Sequence, residues 1–167
     1  DLLFGTYTLT YTKTGYGTFK LFGVNHSVDS AISVVPDQSL GQLSTTTVTA
    51  LSAVVMGASI FILHTAFPKP SHDTMESTRL FFSTDAGLSD TSYAAYSKVY
   101  HAGHTPLLLN FLKTEFYAMG FTAGQTIYIK CYGDSYFSNV YRDLVTDKIV
   151  FPNLNQTTVS AASFVLP

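Results

Sequence analysis

The chain has 167 residues, of which 46% are hydrophobic, 14% aromatic and only 12% charged, for a net charge of −2. Charged residues stand at about half the usual ~25%, so Ser, Thr, Asn, Gln and Tyr must carry the surface, a pattern of secreted and cell-surface β proteins more than of cytosolic enzymes. Nine basic residues scattered singly give no patch that neutralises several phosphates, which argues against nucleic acid, and the longest apolar run, "VVMGASIFIL" (54–63), is about half the length of a membrane-spanning helix.

From the N-terminus, "TYTLTYTKTGYGTFKLFGV" (6–24) alternates Thr with Tyr and Leu, turns at "TGYG" and resumes, which predicts a β-hairpin. Period-two alternation puts Tyr7, Leu9 and Tyr11 on one face and Thr6, Thr8, Thr10 and Thr12 on the other. "STTTVTALSAVV" (44–55) and "ASIFILHTAF" (58–67) read as two strands broken at Met56 and Gly57, and "PKPSHDTMES" (68–77) as a polar loop. "TRLFFSTD" (78–85) and "SYAAYSKVYH" (92–101) follow as strands. In "PLLLNFLKTEFYAM" (106–119) a short helix competes with a strand, and "TIYIKCYGDSYF" (126–137) and "VSAASFVLP" (159–167) close the series.

Eight or nine strands without βαβ alternation predict an all-β, antiparallel sandwich. A single domain is expected, with residues 1–43 as an N-terminal hairpin or extension and 44–167 as the sandwich core. No basic leader with a cleavage site opens the sequence, so an exported protein is expected to be in its mature form here.

"GFTAGQTIYIKCYG" (120–133) resembles the E–F turn and strand F of fibronectin type III and immunoglobulin-like modules of bacterial surface proteins. "TRLFFSTDAGLSD" (78–90) is similar to their strand C with its loop, and "VSAASFVLP" to strand G. The resemblance implies a fold and no particular activity. Two features depart from it: Ile127 stands where the corner tyrosine is often found, shifting any such bond to Tyr128, and the chain has no tryptophan.

Candidate chemistry is sparse. Cys131 is the only cysteine and lies in phase with Ile127 and Ile129, so it reads as a buried small hydrophobe. His101 and His104 in "YHAGHTP" can begin a metal site only if His72, Asp73 or Glu76 completes it, and a solvated turn is the simpler reading. His64 reads as a strand histidine at a sheet surface or edge. Asp85 and Asp90, and Asp134, Asn139 and Asp143, are oxygen donors for a structural calcium or, more simply, loop residues forming Asx-turns. Glu76 and Glu115 are the only glutamates, and no hydrolase, zinc or phosphate-loop motif occurs, so no enzyme and no cofactor beyond that calcium is expected. "NHS" and "NQT" make Asn25 and Asn155 N-glycosylation acceptors in a host that glycosylates exported chains.

Tyr93, Tyr96, Tyr100, Tyr132, Tyr136 and Tyr141 carry the binding argument, since outward or loop tyrosines stack on sugar rings or meet partners. Two functions follow as expectations. One is an extracellular structural or adhesive module, a filament subunit that self-associates or joins other surface proteins by donating the Tyr7–Leu9–Tyr11 strand. The other is a glycan-binding sandwich that uses the tyrosines.

Overall fold

A computed structural model describes residues 3–27, 35, 37–68 and 75–167. Along the chain run β1 (Gly5–Tyr11), β2 (Phe19–His26), β3 (Thr47–Met56), β4 (Ser59–Phe67), β5 (Glu76–Ser83), β6 (Ala95–Tyr96), β7 (Tyr100–Ala102), β8 (Leu107–Leu112), α1 (Lys113–Ala118), β9 (Thr126–Gly133), β10 (Tyr141–Asp143), β11 (Lys148–Val150) and β12 (Ala162–Val165). Every pairing between these strands is antiparallel. Two compact units form: Asp1–Leu43 with Phe137–Asn153, and Ser44–Tyr136 with Leu154–Pro167.

The larger unit is the sandwich. One sheet has the order β3-β4-β8, the other β12-β9-β5 with β6 and β7 both on the free side of β5. The two sheets are the layers of the sandwich, and β3, β4 and β8 supply one side of its core while β5, β9 and β12 supply the other. The segments compared above with strands C, F and G are the hydrogen-bonded neighbours β5, β9 and β12.

Period two explains the core. Ile60, Ile62 and His64 on β4, Leu80 and Phe82 on β5, and Ile127, Ile129 and Cys131 on β9 all point between the sheets and are buried. Phe116 closes one end: it is the buried residue of α1 and lies edge-on to Phe82 at 5.4 Å and to Phe164 at 5.1 Å. The start of α1 is fixed by Glu115, whose Oε2 accepts the Leu112 N–H at 2.7 Å, the carboxylate half of a capping box. At the end of β9, a Cβ on Gly133 would overlap the Thr46 carbonyl oxygen, so only glycine permits this approach of β9 to the start of β3.

Three stretches differ from the sequence expectation. Residues 92–101 form two short strands because Ser97 interrupts the ladder: its Oγ accepts the Leu80 N–H at 3.0 Å and donates to the Lys98 carbonyl at 2.6 Å. Residues 106–119 divide into β8 and α1, strand first and helix after. The β10–β11 hairpin was not anticipated, since "YRDLVTDKIV" has no alternation long enough to read.

The smaller unit joins two hairpins, β1–β2 and β10–β11. The second hairpin comes from the connection between β9 and β12. Tyr141 packs edge-on against Phe19 at 5.6 Å and near Phe22 at 6.4 Å. Asn153, fully buried, ties three segments: its Nδ2 donates to the carbonyls of Gly41 (2.7 Å) and Gln42 (3.1 Å), and its Oδ1 accepts the Asn139 N–H at 2.7 Å. In β1 the alternation holds, with Tyr7, Leu9 and Tyr11 half-buried between exposed threonines. That strand is paired with β2 from Gly5↔His26 to Tyr11↔Phe19, with an irregularity between Tyr7 and Leu9.

Candidate functional site

The outward face of the β5–β9 sheet gathers most of the candidate aromatics. Odd-numbered residues of β5 point outward, so Ser77, Arg79 and Phe81 form its middle row. β6 places Tyr96 opposite Phe81, β7 places His101 opposite Ser77, and β9 places Tyr132 opposite Arg79.

At one end Phe81, fully buried, is packed edge-on by Tyr93 at 5.2 Å and Tyr132 at 5.5 Å, and Tyr93 in turn meets Tyr96 at 5.7 Å. Tyr96 is 41% exposed, the most exposed ring of this stack. At the other end His101 Nδ1 is 2.8 Å from Ser77 Oγ, and the Tyr136 ring lies over His101 at 4.7 Å with 59% of the residue exposed. Four residues of β5 separate the two ends, about 13 Å along the strand.

Between them lies a buried ion pair. Arg79 Nε donates to Asp134 Oδ2 at 2.8 Å and Arg79 Nη1 to the Ser97 carbonyl at 2.7 Å, with the guanidinium 6.0 Å from the Tyr96 ring. Asp134 Oδ1 accepts the Ser135 N–H at 2.7 Å, which sets the backbone that carries Tyr136. Sequence reasoning missed the part of Arg79. Its signal was an arginine inside the otherwise uncharged strand "TRLFFS", where burial demands a carboxylate partner.

The remaining candidates separate. Tyr132 points outward as expected but is buried beneath its neighbours, and burial raises its pKa, with Asp90 adding to the effect. Tyr100 turns inward and contacts Phe111 at 6.3 Å. Tyr141 belongs to the smaller unit, with Asn139 and Asp143. Each acidic loop residue has its own partner: Asp85 Oδ1 takes the Gly87 N–H (2.8 Å), Asp90 Oδ2 the Gln156 amide (3.1 Å), and Asp143 Oδ1 the N–H groups of Val145 (2.8 Å) and Thr146 (3.2 Å). Those two N–H groups, followed by Lys20 at 3.5 Å, hold the Asp143 carboxyl below the usual range. Among the described residues no three His, Cys, Asp or Glu side chains gather as a metal site, and His72 and Asp73 lie outside those residues.

His64 corrects its expectation. It points into the core rather than to a surface or edge, with Nε2 3.0 Å from Thr78 Oγ1, and burial lowers its pKa to about 4. Burial also raises the Glu76 carboxyl and the Cys131 thiol. Asn155 donates its amide to Thr47 Oγ1 at 3.1 Å and accepts the Thr157 N–H at 3.0 Å, whereas Asn25 is exposed and accepts the Thr6 hydroxyl at 2.7 Å.

Fold and site together define an all-β antiparallel sandwich with an aromatic, polar outward face, and no helix among the described residues is long and apolar enough to cross a membrane. No family model matches the chain, and no curated protein does. Among solved structures it is similar to a protein of Bacteroides uniformis provisionally described as carbohydrate binding, with 12% identity and a TM-score of 0.46 over 99% of this chain and 75% of that one. A likeness this slight carries no assignment.

Proposed function

We propose that the larger unit is a non-catalytic carbohydrate-binding sandwich of an extracellular or cell-surface protein. One observation carries the reading: Tyr96 and Tyr136, both exposed, sit on the same face of one sheet, with exposed His101 beside Tyr136 and the buried Arg79–Asp134 pair beneath the span between them. Exposed rings offer flat apolar area to the C–H face of a sugar at small entropic cost, and the exposed His101 beside Tyr136 can meet a hydroxyl. The separation suits a short oligosaccharide lying along β5. A glycan array followed by calorimetry tests the reading: saturable binding of an oligosaccharide that maps to Tyr96 and Tyr136 supports it, and an array with no bound glycan sinks it.

A second reading, an adhesive or self-associating module, is favoured by the outward face of the β3-β4-β8 sheet. Val54, Met56, Leu63, Leu108 and Leu112 are exposed there, and none of the three strands carries Asp, Glu, Lys or Arg. This face, and not donation of the N-terminal strand, supports it, because β1 already has β2 as its partner. Sedimentation of Leu63→Lys against the unaltered chain tests it: association unchanged by the lysine, or none at high concentration in the unaltered chain, ends the reading.

A further inference from the structure

The smaller unit holds a cleft that none of the above uses. Ser39, Leu40 and Gly41 form one wall, Phe137, Ser138 and Asn139 the other, around a volume of about 480 Å³. That is within the ordinary size of small-molecule sites. The walls are fixed before any ligand arrives. Asn139 Nδ2 donates to the Ser39 carbonyl at 2.7 Å, Asn139 Oδ1 accepts the Gly41 N–H, and buried Asn153 holds the Gly41 carbonyl from behind. A Cβ on Gly41 would overlap the Phe137 carbonyl oxygen, so glycine is what lets the two walls meet at the floor.

The cleft has the chemistry of a neutral, hydroxyl-rich ring. Its six lining residues include no charge, which leaves phosphates, carboxylates and cations without a counter-ion. Phe137 is 77% exposed on the rim, an unusual cost for a phenylalanine in a chain with ample core. Ser138 Oγ is buried yet has no hydrogen-bond partner among the described residues, a donor and acceptor whose desolvation none of them offsets. An apolar flat face beside an unmet hydroxyl within a prebuilt, uncharged cleft is the combination that a pyranose or furanose ring satisfies.

We propose that this cleft is a second binding site, taking a single neutral sugar ring stacked on Phe137 and hydrogen-bonded to Ser138 Oγ. It stands on different residues from the Tyr96–Tyr136 face and does not require that face to bind anything. The test is amide-resolved NMR of the full chain titrated with D-glucose, D-galactose, D-mannose, D-xylose and N-acetyl-D-glucosamine, repeated with Phe137→Ala and Ser138→Ala. The expected result is saturable shifts of the 39–41 and 137–139 amides with at least one sugar, and a loss of affinity of at least tenfold in Phe137→Ala with the rest of the spectrum unchanged. Phe137 is exposed, so its removal leaves the fold intact, and Ser138→Ala gives a second reading of the same contact. Still cleft amides throughout the panel, or equal affinity in both variants, overturn the proposal. Shifts confined to residues around Tyr96 and Tyr136 overturn it too while leaving the other site standing, and shifts confined to the cleft support it and leave the Tyr96–Tyr136 reading to its own oligosaccharide test.

Discussion

Arg79 and Asp134, 55 positions apart in sequence, meet at 2.8 Å on the outward face of the β5–β9 sheet, with side chains 7% and 0% exposed. Each satisfies a charge that the other's burial would leave stranded, and the Arg79 guanidinium lies 6.0 Å from the exposed Tyr96 ring. Removing one partner leaves an uncompensated buried charge, so Asp134→Ala is expected to lose about 3–5 kcal/mol of folding stability. Arg79→Met with Asp134→Leu, which replaces the pair by apolar volume, is expected to lose far less than the sum of the singles. Urea unfolding of the parent, Arg79→Met, Asp134→Leu and the double variant gives the coupling; additive losses would show that the pair is not a unit.

Phe116 makes the same kind of claim for the core. It is the aromatic plug of the sandwich end, fully buried against Phe82, Phe111, Phe121 and Phe164. Phe116→Ala leaves a cavity that rigid strands cannot close, and a loss of about 3–5 kcal/mol is expected. Phe116→Leu keeps most of the volume and is expected to fall well short of that. Equal effects of the two would mean that the end of the sandwich is not packed around this ring.

The strands were most legible where burial follows period two, as along β4 and the first part of β9. Ile127, Ile129 and Cys131 could be assigned to one inward row by counting alone, whereas the pairing of β9 with β5 and β12 joins segments far apart in the chain and was not legible. The site was only half legible. Tyr96 and Tyr136 were named, but alternation could not show that Tyr132 would be covered by Phe81, or that Tyr100 would turn inward after Ser97 interrupts the ladder. Arg79 and Asp134 find each other through the fold, and no local pattern announces a partner so distant in sequence. The grouping of 137–153 with the N-terminal hairpin was illegible for a similar reason. It depends on contacts between residues far apart in sequence, among them Asn153 with the Gly41 and Gln42 carbonyls and Tyr141 with Phe19.

Acid should weaken the fold through His64. Its pKa is lowered by burial to about 4, from 6.5. Between those values the unfolded chain binds a proton that the folded chain refuses. This contribution is complete above pH 6.5 and is lost as the pH falls toward 4, by roughly 3 kcal/mol. Glu76 works in the opposite sense: its raised carboxyl pKa stabilises the folded chain at low pH and loses that contribution as the pH rises through the folded value. In His64→Gln the loss between pH 6.5 and 4 should vanish, leaving the opposing trend of Glu76. Parallel stability profiles for variant and parent, from urea titrations across that range, would remove His64 from the account.

Cys131 should be chemically silent while the protein is folded. The thiol is fully buried beside Thr78, and burial raises its pKa, so neither access nor thiolate is available. A thiol reagent is expected to label it only at the rate of unfolding, with the midpoint in denaturant matching that of global unfolding. Rapid labelling in native buffer would place the residue elsewhere than in the core row of β9.

The two exposed tyrosines decide whether the outward face binds glycan. Each ring contributes stacking area and little to the fold, so Tyr96→Ala and Tyr136→Ala are each expected to lose about 1–2 kcal/mol of binding, roughly five- to thirty-fold, with the melting temperature unchanged. The rings lie about 13 Å apart along β5, beyond the range at which substitutions usually couple, so the double variant should lose close to the product of the two factors. Tyr96→Phe keeps the ring and should retain most of the affinity, which separates stacking from a role of the hydroxyl. The measurement is calorimetry with whichever neutral oligosaccharide binds best on an array. Full affinity in the double variant would move carbohydrate binding off the β5–β9 sheet altogether.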